Sequence, residues 1–503
     1  MKKRVALIVT MMLICVGAIA QEKYVTDIKI QTYERWWGLK LSEEFGQPFE
    51  GSFTIDTSED DRHSYVTNAM YSNRGRFIFS EAPMKVSFDG KRLQITSAKE
   101  KVEVVRGGSS LREAYLVCRH KYARIAEQKF TGDLFAMPLY ELKDKLIHSQ
   151  QSVLDFVSMV ESRKFPKGYV IVPDGWRGVG TEADFSTELY PDAQQMVDEL
   201  HAKGFKVMLT VSPYVPATGV RYLEKKRDGQ LILNDEGKPA VMERERGYYA
   251  CMKMTDESVE SINVSLNVLK EKYGIDGFYV DFREACDLFD NMPSLKYEYV
   301  EKWNKACAGV EGVVMSYSEK MDGSFVYGFD MSRHADWDGL AHAVTMALKS
   351  SMFGYSHFAY TPLLTGDDAV TVRAVQLALS MPVAVVPSAA WELKNANVMK
   401  SMLDWRASIA EYMVSTVQSA NVTDEPLIRS MEYQFGGSGF YTCMDQYMLG
   451  PKYLIAPVLE AGSSRMVRLP RGTWKSSTGE RYRGPRIVNV NVANGGVAIF
   501  ELQ

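Results

Sequence analysis

The chain is poor in the residues that mark metal sites and disulfide frameworks. Six cysteines are scattered through 503 residues without a C-x-x-C pair, and the seven histidines show no H-x-H or H-E-x-x-H spacing. Neither a zinc site nor a dense disulfide scaffold is indicated, and no metal is expected. Lysine and arginine form no block, and the formal net charge is −4. Nothing here is built to neutralise a phosphate backbone, so nucleic acid is not an expected partner. The glycine-rich "GWRGVG" is not followed by a helix pattern, which removes it as a phosphate loop. Beyond residue 20 no apolar run is long enough to span a bilayer, and no internal repeat or low-complexity tract is visible.

What is present begins with a leader. Lys2, Lys3 and Arg4 precede a continuous apolar run from Val5 to Ile19, and Ala18-Ile19-Ala20 is a small-residue cleavage site. The pattern predicts a secretory signal over residues 1–20, a mature chain starting at Gln21, and a soluble periplasmic or secreted protein. Loss of the three leader cations takes the formal charge from −4 to −7. Five cysteines remain, so at least one thiol is free or intermolecular.

The length requires more than one core, and 46% hydrophobic residues are ample to build them. Residues 21–130 carry short alternating runs, with Asp89-Gly90 as a hairpin turn, and read as an all-β sandwich. The next section, 131–425, changes character. "GYVIVPD" is a short buried strand, Pro191 opens a helix with Met196, Val197 and Leu200 on one face, Gly204 ends it, and "FKVMLTV" is the next strand. Strands are expected near 133–138, 169–173, 205–211, 277–281, 312–317, 324–329, 355–360 and 383–386. Eight strands alternating with helices close a (β/α)8 barrel. The stretch 212–255 between the third and fourth strands is a long loop with no internal assignment. Residues 426–503 return to short strands and form a small β-sheet domain. The expected fold is therefore a multidomain α/β protein, a TIM barrel flanked by an N-terminal sandwich and a C-terminal sheet.

In such a barrel the working residues sit at the carboxyl ends of the strands. Asp174, Asp281 and Asp330 end the second, fourth and sixth expected strands. They converge on one mouth, flanked by Trp176, Tyr214, Tyr279, Phe282 and Trp337. Paired carboxylates beside aromatic faces suit glycoside cleavage: one acid attacks or stabilises the sugar carbon, the other protonates the leaving oxygen. His334, His342 and His357 read as helix or rim residues, and His357 is counted among the candidate substrate contacts.

These residues resemble glycoside hydrolase family 31, the retaining α-glycosidases. "DGFYVDFREA" is similar to the family's nucleophile motif, and "GYVIVPDGW" with "DFSTELYPDAQQMVDELHAKGFKVMLTVSPYV" to its second and third barrel strands. "DQYMLGPKYLIAPVLEAGSSRMVRLPRGTW" resembles the segment entering the C-terminal sheet, and "YSNRGRFIFSEAPMKVSF" the N-terminal sandwich. The resemblance implies Asp281 as nucleophile, Glu284 as its orienting neighbour and Asp174 as a ligand for sugar hydroxyls. It places the acid/base in "SFVYGFDMSRHADWDGL", where Asp330 is favoured and Asp336 competes. It implies no cofactor, and an oligosaccharide or glycoside as partner.

The sequence also departs from the family. An Arg common after the fifth strand is replaced by Ser316-Tyr317, an Asp after the seventh by Thr361, and a His after the eighth is missing from "VPSAAWEL". Asp174, Trp176, Arg177 and Arg283 remain to be arranged around a sugar other than glucose, with α-galactoside the first expected. Arg283 either neutralises Glu284 or touches sugar. Two other functions fit the same residues: a catalytically silent carbohydrate-binding relative, and a transglycosylase using the same intermediate.

Overall fold

The computed structural model describes residues 24–503 except 42–45, 59–64, 98, 123–131, 143–148, 179–182, 245–246, 290–292, 317–325, 330–335, 355–356, 362–367, 387–389, 392 and 394–395. The expected leader lies outside the described residues.

Eight parallel strands carry the centre of the molecule. They are β1 (Leu139–Glu141), β2 (Tyr169–Val172), β3 (Lys206–Val211), β4 (Gly277–Val280), β5 (Val313–Met315), β6 (Val326–Phe329), β7 (Phe358–Tyr360) and β8 (Val385–Val386). Each pairs in parallel with its successor from β1 to β7, and β8 pairs with β1. A bridge between Ala359 of β7 and Val383, just before β8, closes the ring, and Val383 N donates to Phe358 O at 3.2 Å. Strands enclosed by helices bury both faces, which is why YVIV, KVMLTV and GFYV are nearly unbroken apolar runs.

The helix between β2 and β3, Ala193–Ala202, shows how closely local chemistry dictates these elements. Asp192 caps it by accepting from Gln195 N at 3.0 Å, Met196, Val197 and Leu200 face the core, and Gly204 leaves at φ +81. Gly277 has a different task. A Cβ there would stand 2.4 Å from Gly312 O, so only glycine lets β4 and β5 come together at their start.

The first expected strand is displaced. Residues 133–136 form a short helix, Asp133–Ala136, and the strand begins after Pro138. A four-residue apolar run fits a buried helix as well as a strand, so periodicity alone misplaces it.

Two four-stranded antiparallel sheets precede the barrel and enclose a core that includes Trp36, Phe53, Met70, Ile78, Val86 and Ile95. The hairpin is present: Met84–Phe88 pairs with Arg92–Ser97, and Asp89 Oδ1 accepts from Lys91 N and Arg92 N, each at 2.8 Å. This region is not all-β, because Leu111–Tyr122 is a helix that buries Leu111, Ala114, Tyr115 and Cys118. The C-terminal domain is a six-stranded sheet in which Ser464–Ser476 and Arg481–Asn491 form a long hairpin. Cys118, Cys251, Cys286, Cys307 and Cys443 are buried free thiols. Among the described residues no helix is long and apolar enough to cross a membrane.

Arg406, fully buried on the helix Ala396–Ser408, ties the foot of the barrel together. It donates to Met381 O and Phe135 O, each at 2.8 Å, and to Pro382 O, and burial pulls its pKa down to about 9. Arg406→Met should lower unfolding stability by about 3 kcal/mol, because it strands three buried carbonyls. Urea unfolding of the two proteins measures the difference.

Candidate active site

Asp281 follows β4 directly, and its main chain is fixed on both sides. Its amide donates to Val211 O of β3 at 2.8 Å, and the next amide, Phe282 N, donates to Ser316 Oγ at 3.1 Å, just past β5. Ser316 stands where the resemblance places an arginine, and here it holds the turn after β4. The Asp281 carboxylate is 26% exposed and accepts from Arg244 Nη2 at 3.0 Å.

Arg244 comes from the unassigned loop 212–255. Residues 214–251 leave the barrel as a three-stranded sheet in the order Tyr214–Pro216, Gly247–Cys251, Val241–Arg244, with the helix Val220–Arg227 between its first two strands in sequence. The excursion starts and ends at the rim, where Tyr214 pairs with Cys251. At its far strand, Arg244 reaches back over the mouth. Its Nε stands 2.7 Å from Glu284 Oε2, and its guanidinium carbon lies 3.9 Å from the centre of the Tyr214 ring. Burial opposes the charge on Arg244, but Asp281 and Glu284 outweigh it and hold its pKa above the ordinary arginine value. Burial pushes Glu284 above the usual glutamate range, against the pull of Arg244 and with added repulsion from Asp281. Arg244 was not among the residues singled out from sequence. The alternation in "VMERERGYYAC", with glycine at the turn, is a hairpin signal, but it does not say which arginine turns inward.

Asp174 follows β2 in a turn with Gly175 at φ +100. Its Oδ2 accepts from Ser212 Oγ, its Oδ1 accepts from Gly175 N at 2.9 Å, and Arg177 Nη1 lies 4.0 Å from Oδ1. Arg177 also donates to Ser212 O at 3.4 Å. Asp174 and Arg177 at the end of β2, and Asp281, Glu284 and Arg244 around the end of β4, therefore border one rim through Ser212 and Val211 of β3. Tyr279 shares a strand face with Asp281, two residues earlier on β4, and is half-buried. Arg283 is half-buried at the start of the helix Arg283–Asp287, and Glu284 takes its ion pair from Arg244.

Several expected contacts have other occupations. Trp176 is fully buried, packs 5.1 Å from Phe185, and donates from Nε1 to Thr210 O at 2.8 Å. It is a wall of the barrel, not a sugar platform. Tyr214 is buried too, accepting from Ala285 N at 3.1 Å, and serves as the plate beneath Arg244. Phe282 turns away and stacks on Trp303. Trp337, half-buried, begins the helix Trp337–Ser351, and Asp336 caps that helix by accepting from Gly339 N at 2.7 Å. Asp330 and His334 lie outside the described residues. His357 precedes β7, at the foot of the barrel. It is buried, packs edge-on against Phe135, and bonds through Nε2 to Asn421 Oδ1 at 3.1 Å. It is a core histidine and is withdrawn from the substrate contacts.

Comparison with known proteins agrees with this architecture. Residues 135–416 match the family model described as the TIM-barrel domain of glycosyl hydrolases family 31, and residues 424–500 match that family's C-terminal domain. The myogenesis-regulating glycosidase of Mus musculus is 23% identical over 373 residues, covering 66% of this chain and 51% of that protein. Alpha-xylosidase XylQ of Lactiplantibacillus pentosus is 22% identical over 503 residues, covering 89% of this chain and 64% of that one. The chain thus spans about half to two thirds of the length of such relatives. Among solved structures, a GH31 alpha-xylosidase from a soil metagenome, complexed with xylose, superposes with a TM-score of 0.71 at 18% identity, over 96% of this chain and 79% of that one.

The placement of His357 has a measurable consequence. Burial holds its pKa down at about 3, while the unfolded chain binds the proton near 6.5. Stability is therefore complete above 6.5 and is lost as the pH falls toward 3. Between 6.5 and about pH 4.5 the native protein should lose about 2 kcal/mol that a His357→Met variant does not lose. Urea unfolding of both proteins at the two pH values measures it.

Proposed function

Because the chain belongs to glycoside hydrolase family 31, we propose that it is an exo-acting, retaining α-glycoside hydrolase with Asp281 as nucleophile. The observation that carries this reading is the double fixing of Asp281: its backbone is bonded between β3 and the end of β5, and its carboxylate is held by Arg244. A nucleophile held before the substrate arrives needs little rearrangement at the moment of attack. Asp174 at the neighbouring strand end, with Arg177, offers charged and hydrogen-bonding groups for sugar hydroxyls. Asp336 is occupied as a helix cap, which favours Asp330 as the acid that protonates the leaving oxygen and later deprotonates water. Two carboxylates suffice for this chemistry, so the reaction as proposed uses no metal or organic cofactor.

The substrate proposed is the terminal α-linked sugar of an oligosaccharide or glycoside. With Ser316 and Thr361 standing where the family commonly places charged groups, the pocket is matched poorly to glucose, and α-galactoside is proposed as the preferred sugar. Residues 1–20 are proposed to be a cleaved leader that delivers the enzyme to the periplasm or beyond.

A panel of nitrophenyl α-galactoside, α-glucoside and α-xyloside tests these statements. The α-galactoside should give the highest kcat/KM, and NMR should show the α-anomer as the first product. Asp281→Asn should lower kcat by a factor on the order of 10⁴ while sugar still binds. A β-anomer as first product would refute retention, and preference for glucoside would refute the choice of sugar. Binding without cleavage by the native protein would mark a silent carbohydrate binder, and accumulation of glycosylated acceptor would mark a transferase.

A further inference from the structure

We propose that Arg244 is the positioning residue of the nucleophile and sets the rate at which the covalent intermediate is released. The proposal rests on the double-displacement reading above. Arg244 is one side chain bonded to two carboxylates, through Nη2 to Asp281 Oδ2 at 3.0 Å and through Nε to Glu284 Oε2 at 2.7 Å. The two contacts use neighbouring nitrogens, Nε and Nη2, on one edge of the planar guanidinium, which fixes its tilt as well as its place. Tyr214 supports it from the ring face, and the Tyr214 hydroxyl is itself tied to Ala285 N, one residue past Glu284. Cation, ring and both acids thus form one closed assembly around the nucleophile turn.

That geometry divides the labour between the two oxygens of Asp281. Oδ2 is committed to Arg244, so Oδ1 makes the attack. In the first half-reaction a lone pair on Oδ1 forms the bond to the anomeric carbon. The carbon's bond to the glycosidic oxygen breaks, its electron pair goes to that oxygen, and the acid/base supplies the proton. The carboxylate becomes an ester, its negative charge is spent, and its attraction to Arg244 falls. Glu284 keeps its charge and holds the guanidinium in place. In the second half-reaction water bonds to the anomeric carbon and gives its proton to the acid/base. The electron pair of the carbon–Oδ1 bond returns to Asp281. Charge reappears directly beside Arg244, so the cation stabilises this departure as a preorganised donor stabilises a developing oxyanion. The same attraction acts against the first step, where charge on Asp281 is lost. Arg244 therefore favours release of the intermediate over its formation.

The kinetic signature differs from that of a residue that merely supports the fold. With a nitrophenyl glycoside the first step needs little help from the acid, so a slow second step lets the intermediate accumulate. Arg244→Met should lower kcat about 30-fold and lower KM in parallel, leaving kcat/KM within about threefold of the native value. It should also release a burst of nitrophenolate stoichiometric with enzyme. Arg244→Lys keeps the cation but lacks the two-nitrogen fork, and should show a smaller fall in kcat and KM with a smaller burst. A structural role would lower kcat and kcat/KM together at constant KM, without a burst. That result, or an Arg244→Met enzyme with kcat within twofold of native, overturns the proposal. If Arg244→Met does not fold by circular dichroism, the burst and the joint fall of kcat and KM in Arg244→Lys decide it. Failure of the underlying reading looks different: the native enzyme itself would then cleave none of the glycosides or would invert the anomer, and this inference would fall with it.

Discussion

Closure of the parallel ladder is the constraint on which the site depends. Curling the sheet into a ring turns the carboxyl ends of its strands onto one mouth. In the ring, the registers Val172 with Leu209, Val211 with Val280, and Val280 with Met315 bring four consecutive strands to nearly the same level. The turn residues Asp174, Ser212, Asp281 and Ser316 then follow side by side on one rim. Closure itself is maintained at the opposite end, where Val383 bonds to β7 and Arg406 gathers the carbonyls of Phe135, Met381 and Pro382.

Once carboxylates are crowded on a rim, charge becomes the second constraint. Asp174, Asp281 and Glu284 would repel one another in a partly dry mouth. Two arginines oppose this. Arg177 stands beside Asp174, and Arg244 spans Asp281 and Glu284. The balance differs across the site: burial raises Glu284 even with its arginine, although 49% of its side chain is exposed. The family commonly carries an arginine after the fifth strand, where this chain has Ser316. Here Ser316 at that position bonds the backbone, and the cation comes from the excursion after β3.

How much of this could be read in advance depended on whether the relevant force acts locally. The strands β2, β3 and β4 were legible because burial on both faces demands continuous apolar residues, and the helix before β3 because its cap and its closing glycine stand beside its apolar face. Asp174 and Asp281 were legible as acids placed directly after such strands. The first strand was misplaced because Leu134 to Met137 is apolar in either conformation. Trp176 and His357 were misjudged for another reason. Nearness to a strand end in sequence does not tell whether an indole turns inward, or whether the residue lies before the strand, at the foot, or after it, at the mouth. Arg244 escaped notice because its partners lie 37 and 40 positions further along the chain, and only the folded excursion brings them together.

That excursion begins and ends on neighbouring strands. Tyr214 and Cys251 face each other where it leaves and rejoins the rim, and its own strands bond to one another instead of to the barrel ladder. A segment attached in this way can be lengthened, shortened or exchanged without altering the register of any barrel strand. Asp281 and its counter-ion Arg244 thus belong to separately heritable parts of the chain, one fixed by the ring and one carried by an appendage. Divergence in the appendage would change the cation beside Asp281 while the barrel, and the acids it aligns, stayed unchanged.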